Sequence, residues 1–368
     1  MIPFRIERIY IDEKAEKDGL TQKILQGLSH LPMERVRGKK ELIKKFLSSP
    51  DPLTVGKRHL LITHDYGRRL KPCPGTTNHL CCGYYVINPM TNCPMDCSYC
   101  ILQEYLNNPL LTLYTNLDDL LQEIDLFLSN QEEDFLRLGT GELSDSLALE
   151  SIFPISQILI PFFAEREKGI LELKTKSSTV DSLLHLHHRE RTVVSWSLNP
   201  SRIIEEEERG TASLKERLEA ARKCQERGYP LGFHFDPIIF DHGWEREYKE
   251  TISALFKMID PKRVVWISLG GFRYPPKLKG IVEGRFPNTQ IFLGELFPGK
   301  DFKFRYLKEI RVEIYQKMVG WIQAVDPGLF VYLCMESQEV WEKVFGWAPK
   351  DNRDLNRMFE RRLKAFLR

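Results

Sequence analysis

The chain has 368 residues, of which 42% are hydrophobic and 28% are charged, proportions that are ordinary for a globular protein. No apolar stretch approaches the length of a membrane-spanning helix, and the N-terminus lacks the hydrophobic core of a secretion signal. These features argue against a membrane protein or a secreted one. We therefore expect a soluble, cytoplasmic protein without a membrane partner.

The net charge of +2 hides an uneven distribution, because residues 1–75 carry 16 Lys and Arg against 9 Asp and Glu. The pattern predicts a strand at Arg5–Ile11, an amphipathic helix at Leu20–Leu28 and a basic helix at Lys39–Leu47. We interpret residues 1–80 as a separate N-terminal α+β region. Its basic patch could attract a phosphate backbone or be an ordinary solvated helix face. The patch comprises Arg35, Arg37, Lys39, Lys40, Lys44 and Lys45.

From residue 81 onward, the pattern alternates between strand and helix. Strands are predicted at Tyr84–Asn88, Phe135–Gly139, Ile170–Thr175, Thr192–Leu198, Leu231–Ile239 and Val264–Leu269. Helices are predicted between and after them, at Leu117–Asn130, Ile152–Glu165, Val180–His188, Ser213–Arg227, Glu245–Ile259 and Pro276–Glu283. Repeated βα units imply a parallel sheet of the α/β class. We expect residues 81–290 to form a partial (β/α)6 barrel.

Residues 291–368 are predicted to add a C-terminal extension of strands and helices. The pattern indicates a strand at Gln290–Leu296, a helix at Val312–Ala324 and a strand at Leu329–Leu333. A charged amphipathic helix pair follows over Val340–Arg368, divided at Pro349. We interpret this pair as a cover for the edge of the barrel.

Three cysteines in one short segment carry the strongest functional signal. Cys93, Cys97 and Cys100 have the spacing C-x3-C-x2-C and follow the first barrel strand, where loops of parallel barrels carry the chemistry. A [4Fe–4S] cluster takes one thiolate per iron, so three cysteines leave one iron open to S-adenosylmethionine (AdoMet). Zinc would require a fourth ligand in a second C-x2-C pair, which is missing, and disulfides are disfavoured in reducing cytosol. The spacing therefore predicts a [4Fe–4S] cluster that binds AdoMet.

Polar residues at the ends of the next strands are candidates for binding AdoMet. The second strand ends in a segment with two glycines and Glu142, which lets backbone approach a ligand and places an acceptor beside an ammonium group. Lys176 ends the third strand and could pair with the methionine carboxylate, or be a solvated lysine. Ser197 and Asn199 end the fourth strand and could hold ribose or carboxylate, although Asn199 could equally shape a turn.

These motifs resemble those of the spore photoproduct lyases and the wider radical SAM DNA repair photolyase family. The resemblance extends from about Phe4 to Tyr332. It rests on the cysteine motif followed by Leu102 and Gln103, and on Asn116–Asp119, Ser144–Asp145, Thr175–Lys176, Ser197–Asn199, Gly210–Thr211 and Gly243–Arg246.

The resemblance implies a partial radical SAM barrel that reduces bound AdoMet to a 5′-deoxyadenosyl radical. In the family, this radical abstracts hydrogen from a cross-linked thymine dimer in DNA and restores two thymines. A carbon–carbon lyase that acts on DNA is therefore expected, served by an external reductant such as a flavodoxin or ferredoxin. Carried over by position, Ser144, Lys176 and Ser197 contact AdoMet.

Two positions depart from the family pattern at the same step. The family has a cysteine two residues before the Ser-Asp pair, which returns a hydrogen atom to the product radical, and this chain has Glu142 there. The tyrosine that directly follows the third cluster cysteine is replaced by Ile101, whereas Tyr99 remains. We regard Tyr99 and Glu142 as candidate catalytic residues, and Glu142 also as a candidate for binding the AdoMet amino group.

Glu142 keeps a second function open, a radical SAM enzyme that modifies a peptide, an RNA or a small molecule. A non-catalytic iron–sulfur protein is disfavoured, because candidate AdoMet contacts exist beyond the cysteines. Three further cysteines, Cys73, Cys81 and Cys82, could supply the missing thiol, bind a second metal with His79, or be small buried residues.

Substrate contacts are predicted on later strands. His234 and Asp236 end the fifth strand and are expected to point toward the barrel mouth. Four residues that combine cations with flat rings suit phosphate contact and base stacking, although such pairs are also common on ordinary surfaces. These are Arg273, Tyr274, Arg305 and Tyr306.

Overall fold

The structure is a computed structural model that describes residues 5–133 and 135–367. Phe4, where the family resemblance begins, and Arg368, at the end of the predicted helix pair, lie outside the described residues. Over the described ranges, no helix is both long and apolar enough to cross a membrane.

The strands are β1 (Arg8–Asp12), β2 (Met33–Val36), β3 (His59–Thr63), β4 (Leu70–Pro72), β5 (Tyr85–Ile87), β6 (Met90–Thr91), β7 (Asp96–Cys97), β8 (Leu111–Tyr114), β9 (Leu136–Gly139), β10 (Gly169–Thr175), β11 (Thr192–Ser197), β12 (Glu208–Arg209), β13 (Leu231–Ile238), β14 (Val264–Gly271), β15 (Arg273–Tyr274), β16 (Leu296–Pro298), β17 (Phe304–Tyr306) and β18 (Val331–Leu333). The helices are α1 (Gly19–Gly27), α2 (Lys39–Leu47), α3 (Pro52–Gly56), α4 (Leu102–Tyr105), α5 (Leu117–Ser129), α6 (Ser156–Ala164), α7 (Ser201–Glu207), α8 (Leu214–Glu226), α9 (Trp244–Met258), α10 (Pro276–Arg285), α11 (Lys308–Val325), α12 (Gln338–Phe345) and α13 (Asn352–Phe366), with a 3₁₀ turn at Pro261–Arg263.

The N-terminal region is built on a sheet of strand order β2-β1-β3-β8-β6. Its predicted strand and both predicted helices are confirmed as β1, α1 and α2. Helix α2 packs Leu42 and Phe46 against Tyr10 and Leu61 of the sheet, so most of its lysines face outward; these are Lys40, Lys44 and Lys45. Strands from both sides of residue 80 share this sheet, and the predicted division of the chain at that point stays a prediction.

The second sheet has the order β18-β14-β13-β11-β10-β9-β5-β4 and forms the partial barrel. All six predicted barrel strands are present and mutually parallel, from β5 through β14. Strand β18 adds a further parallel strand beside β14, and β4 pairs antiparallel with β5 at the opposite edge. The carboxyl ends of the parallel strands therefore meet at one mouth, which is where the cysteine segment begins.

One predicted helix is wrong. Residues 180–188 form successive turns, in which the Leu183 N–H donates to Val180 O at 2.9 Å and the Leu186 N–H donates to Leu183 O at 3.0 Å. Val180 and Leu183 are fully buried. Two linked turns bury both side chains. The apolar spacing that predicted a helix therefore reflects burial in turns.

The C-terminal extension is partly as predicted. The expected strand at Gln290–Leu296 is wrong, because the strand begins only at its end, as β16, and pairs with β17 in a small antiparallel sheet. Helix α11 is confirmed, as is the helix pair α12 and α13 on either side of Pro349. In α13, Arg362 donates to the carbonyls of Val264 and Val265, which covers the start of β14.

Candidate active site

The cysteine segment forms a loop at the barrel mouth, after the first barrel strand β5. It is held by a two-residue antiparallel ladder between β7 and β12, which pairs Cys97 with Glu208. Asn92 starts the loop with a positive φ of 67°, a conformation that asparagine tolerates better than most residues. Its side chain donates to Pro109 O at 2.6 Å and accepts from the Cys93 N–H at 2.8 Å. The loop entrance is therefore fixed by one side chain.

The three cysteine side chains share an apolar pocket with Met95, Leu102, Leu106, Leu143 and Ala148. Burial raises the pKa of the Cys93 thiol to about 12 and raises the pKa of Cys97 well above its ordinary value. Such thiols give up their protons only to a strong local cation, which the irons of a cluster supply. Among the described residues, no three His, Cys, Asp or Glu side chains converge as ligands of one metal ion. Three cysteine thiols on one loop fit a [4Fe–4S] cluster, which takes one thiolate per iron.

Two cations from distant segments clamp the cluster loop from outside. The Lys57 ammonium donates to Met95 O at 2.6 Å and to Asp96 at 2.8 Å. Arg285 of α10 donates to both carboxylate oxygens of Asp96 at 3.0 Å. Although burial alone would raise it, these two cations hold the pKa of Asp96 below its ordinary value. The loop therefore has a fixed position before any cofactor binds.

A buried carboxylate, Glu208, gathers three of the predicted site residues. It accepts from the Tyr99 hydroxyl, from Asn199 Nδ2 at 2.8 Å and from Arg217 at 2.5 Å, and Lys176 Nζ lies 3.4 Å away. Burial by itself would raise the pKa of Glu208, but Arg217 and Lys176 lower it to about 2. Glu208 therefore stays charged and ties the cluster loop to the ends of the third and fourth barrel strands.

Asp145 organises the Ser-Asp segment that follows β9. One oxygen accepts from the Thr175 hydroxyl at 2.6 Å and the other from the Lys176 N–H at 2.7 Å. Ser144 is buried beside it, with its hydroxyl 3.4 Å from Asp145 O. Ser197 is also buried at the end of β11. Ser144, Lys176 and Ser197 therefore lie at the mouth, on three adjacent strand ends, as their predicted role in AdoMet binding requires.

Glu142 forms an ion pair with a neighbouring lysine. Its carboxylate accepts from Lys174 Nζ at 2.5 Å across the mouth, and both side chains are partly buried. The two nearby glycines leave room for protein groups: a Cβ on Gly139 would lie 2.6 Å from the Tyr84 hydroxyl, and one on Gly141 would lie 2.8 Å from Lys174 Cβ. Both glycines therefore allow neighbouring side chains to pack closely against this segment, and the predicted approach of a ligand to it stays a prediction.

Both predicted substrate contacts of the fifth strand have a protein partner in the structure. His234 Nε2 lies 2.8 Å from Glu172, which also accepts from Ser195 at 2.6 Å. Asp236, whose side chain is 22% exposed, forms a two-pronged ion pair with Arg273, both bonds measuring 3.0 Å. Both groups are thus paired inside the barrel, where an unpaired charge would be costly. Their role in substrate contact stays a prediction.

The other predicted cation and ring contacts also have protein partners. Tyr274 stacks on Phe304 with ring centroids 5.3 Å apart, and the Tyr306 hydroxyl accepts from the Phe240 N–H at 3.0 Å. Arg305 is 3% exposed and bonded to Asp301 at 2.5 Å. Their expected roles in phosphate contact and base stacking stay a prediction.

Sequence reasoning missed Glu208, Arg217, Glu172 and Lys174. Glu208 lies two residues before the Gly210–Thr211 segment, where Gly210 takes a positive φ of 75°. A carboxylate directly before such a motif was a usable signal. Arg217 gave none, because it lies on a helix whose composition is ordinary for an exposed surface, yet it is fully buried.

A partial parallel barrel, a three-cysteine loop at the mouth and polar strand ends around that loop together define a radical SAM enzyme. Such an enzyme holds a [4Fe–4S] cluster and AdoMet. The chain belongs to the spore photoproduct lyase family, whose sequence profile matches residues 9–321.

Individual relatives agree with this assignment. The spore photoproduct lyase of Bacillus subtilis (strain 168) is 27% identical over 307 residues, which cover 80% of this chain and 86% of that protein. A solved spore photoproduct lyase mutant with dinucleoside spore photoproduct has a TM-score of 0.79 at 25% identity, covering 90% of this chain and 99% of that one. Another, with bound AdoMet and dinucleoside spore photoproduct, has a TM-score of 0.78 at 25% identity and the same coverage.

Proposed function

We propose that this enzyme cleaves AdoMet reductively and uses the resulting radical to open a cross-linked thymine dimer in DNA, as a carbon–carbon lyase. The observation that carries the proposal is the likeness, over 90% of this chain, to a lyase solved with AdoMet and dinucleoside spore photoproduct. The placement of the cluster loop and of the polar strand ends at one mouth supports it.

The site residues take distinct roles in this proposal. Cys93, Cys97 and Cys100 hold the cluster, which supplies the electron that cleaves AdoMet. The Lys176 ammonium pairs with the methionine carboxylate, and Ser144, Ser197 and Asn199 contact the rest of AdoMet. These residues lie at or shortly after the ends of the adjacent strands β9, β10 and β11.

Tyr99 and Glu208 support that binding. The Tyr99 hydroxyl donates to Glu208, and Lys176 Nζ lies 5.6 Å from the centre of the Tyr99 ring. Glu208 is paired with both Lys176 and Arg217, so its single negative charge neutralises the Lys176 ammonium only partly. Lys176 can therefore still attract a carboxylate ligand.

DNA and a reductant are the proposed partners. The outward-facing lysines of α2 suit sequence-independent phosphate contact, the first step in reaching a lesion that must then leave the base stack. The cluster requires an external one-electron donor of the flavodoxin or ferredoxin kind. We propose a cytoplasmic location, in keeping with eight cysteines that are all free in the structure.

The experiment that tests this function is label transfer. Anaerobic, cluster-reconstituted enzyme is incubated with AdoMet, dithionite and dinucleoside spore photoproduct deuterated at C6 of its dihydrothymine ring, because a radical at C6 lies beta to the cross-linking carbon–carbon bond and can break it. We expect deuterium in 5′-deoxyadenosine together with restored thymines. Formation of unlabelled 5′-deoxyadenosine with the dinucleoside left intact would contradict the proposed substrate and would favour a peptide, RNA or small-molecule substrate.

A further inference from the structure

The proposed repair ends with a carbon radical on the product that must receive a hydrogen atom. The position at which the family carries its donor cysteine is Glu142 in this chain, and its carboxylate is paired with Lys174. A carboxyl O–H bond is too strong to give up a hydrogen atom to such a radical. The donor must therefore come from a different element of this fold.

Strand pairing places a thiol and a phenol together at this mouth. Strands β4 and β5 are antiparallel, with Pro72 opposite Tyr85. One step further along the ladder, the Cys73 N–H donates to Tyr84 O at 2.8 Å. Directly opposite residues of an antiparallel pair project from the same face of a sheet. Cys73 and Tyr84 therefore project to the same side, and Tyr84 extends into the barrel against Gly139.

The Tyr84 hydroxyl is a polar group without a partner. The residue is 5% exposed, and within the described part of the chain its hydroxyl has no hydrogen-bond partner. Burial, and after it the charge of Glu142, raises its pKa well above the ordinary value, which keeps the phenol protonated. A buried hydroxyl is rarely left unsatisfied unless something else occupies the adjoining space. This hydroxyl indicates that a ligand reaches the space between Tyr84 and Glu142.

Cys73 lies in the same neighbourhood and is only half-buried. Burial, followed by the charge of Glu142, raises its pKa to about 12, so its sulfur keeps its hydrogen at neutral pH. Two other sulfurs have polar neighbours of their own: Cys81 accepts from the Thr76 N–H at 3.4 Å, and Cys334 lies 3.6 Å from Arg273. Cys73 is thus a protonated, reachable thiol beside the residue that replaces the family donor.

We propose that Cys73 is the hydrogen-atom donor of this enzyme, an inference that rests on the proposed function. The S–H bond of Cys73 breaks homolytically, its hydrogen atom forms a C–H bond on the product radical, and a thiyl radical remains on the sulfur. The thiyl radical is returned to a thiol by one electron from the external reductant that also serves the cluster, and by one proton from solvent. AdoMet is consumed once per lesion on this route.

The test replaces the sulfur by oxygen at nearly constant shape, Cys73→Ser. Label transfer from deuterated dinucleoside to 5′-deoxyadenosine should stay within twofold of wild type, because abstraction precedes the donor step. The amount of restored thymine should fall at least tenfold. By-products should form instead, because the product radical receives no hydrogen atom from residue 73. Cys81→Ser, from the same loop, is the matched control and should repair at the wild-type level.

A second readout needs neither cluster nor turnover. In iron-free protein, iodoacetamide labelling followed by peptide mass spectrometry should show Cys73 at least fivefold slower to react when dinucleoside spore photoproduct is bound. Cys81 should react at an unchanged rate. Equal protection of both thiols, or of neither, would overturn the placement of Cys73 at the substrate.

The two proposals fail in different ways. If wild-type enzyme transfers no label from the dinucleoside, the proposed function is wrong, whatever Cys73 does. If wild type transfers label and repairs, and Cys73→Ser repairs equally well, the donor assignment alone is wrong. The donor assignment is equally overturned if Cys82→Ser or Cys334→Ser, and not Cys73→Ser, stops repair after label transfer.

Discussion

Replacing Glu208 by glutamine should destabilise the protein and weaken AdoMet binding. Glutamine keeps the size of the side chain and part of its hydrogen bonding with Tyr99 and Asn199 but removes the negative charge. Arg217, whose side chain is fully buried 2.5 Å from Glu208, would then carry an uncompensated charge. Breaking a buried ion pair by removing one partner typically costs about 3–5 kcal/mol.

The lowered pKa of Glu208 gives a similar value for the free energy that its charge contributes to folding. A fall from 4.5 in the unfolded chain to about 2 in the folded protein corresponds to about 3 kcal/mol, at about 1.4 kcal/mol per pKa unit. Because the folded pKa is the lower of the two, this stability is fully present above pH ~4.5 and is lost as the pH falls toward ~2. The difference in the free energy of unfolding between wild type and Glu208→Gln should therefore have its full size at pH 7 and become small near pH 2.

Urea unfolding of the iron-free protein at pH 7 measures this difference, and calorimetric titration with AdoMet measures binding by the cluster-loaded enzyme. The matched control is Glu206→Gln, on the helix α7 that directly precedes Glu208; the Glu206 carboxylate is 52% exposed beside Arg202. Exposed pairs contribute about 0–1 kcal/mol, so this control should unfold close to wild type. A loss of under about 1 kcal/mol in Glu208→Gln would refute the argument that Glu208 offsets the buried charge of Arg217.

Two further predictions concern the cluster and DNA. Cys97→Ala should abolish 5′-deoxyadenosine formation and reduce bound iron, measured by product chromatography and iron assay, whereas Cys224→Ala, in the core of α8, should retain both. Replacing three outward lysines of α2 by glutamine should lower the slope of log affinity against log salt by up to about 2–3, measured by fluorescence anisotropy on duplex DNA; an unchanged slope would exclude this patch from DNA binding. These lysines are Lys40, Lys44 and Lys45.

The barrel could be predicted from sequence because its signals are local. Each of its six inner strands is a short, mostly apolar run, five of them are separated from the next by a helical or turn-forming segment, and these runs match the observed strands to within a few residues. Strand β2 has no comparable signal: Met33–Val36 is largely exposed and charged, and it becomes a strand only because β1 offers it an edge. Pairing supplied by a distant segment cannot be read from four residues.

The site divides in the same way. The cysteine loop is a contiguous motif, and its chemistry follows from spacing alone. The partners of its neighbours are not contiguous: Tyr99 meets Glu208 across 109 residues, and Asp96 meets Arg285 across 189. The ion pair of Arg273 with Asp236 could not be predicted for the same reason, since a cation near an aromatic ring in sequence carries no record of the carboxylate that folding brings to it.

Charge pairing inside the barrel explains why a relocated thiol can work there. Glu142 is paired with Lys174, and Asp236 with Arg273, so the interior carries matched charges around the space that Cys73 and Tyr84 face. Both cations of that set are paired with carboxylates, and the charge that acts most strongly on Cys73, that of Glu142, opposes its ionisation.

A hydrogen-atom donor must keep its hydrogen until a radical arrives, since a thiolate has none to give. The same carboxylate that displaced the family thiol therefore favours the protonated form of the thiol beside it. Exchanging Glu142 for a neutral side chain should lower the pKa of Cys73, and thiol-specific absorbance during a pH titration of iron-free protein would show it. If the pKa of Cys73 stays near 12, the charge of Glu142 does not help to keep the Cys73 thiol protonated.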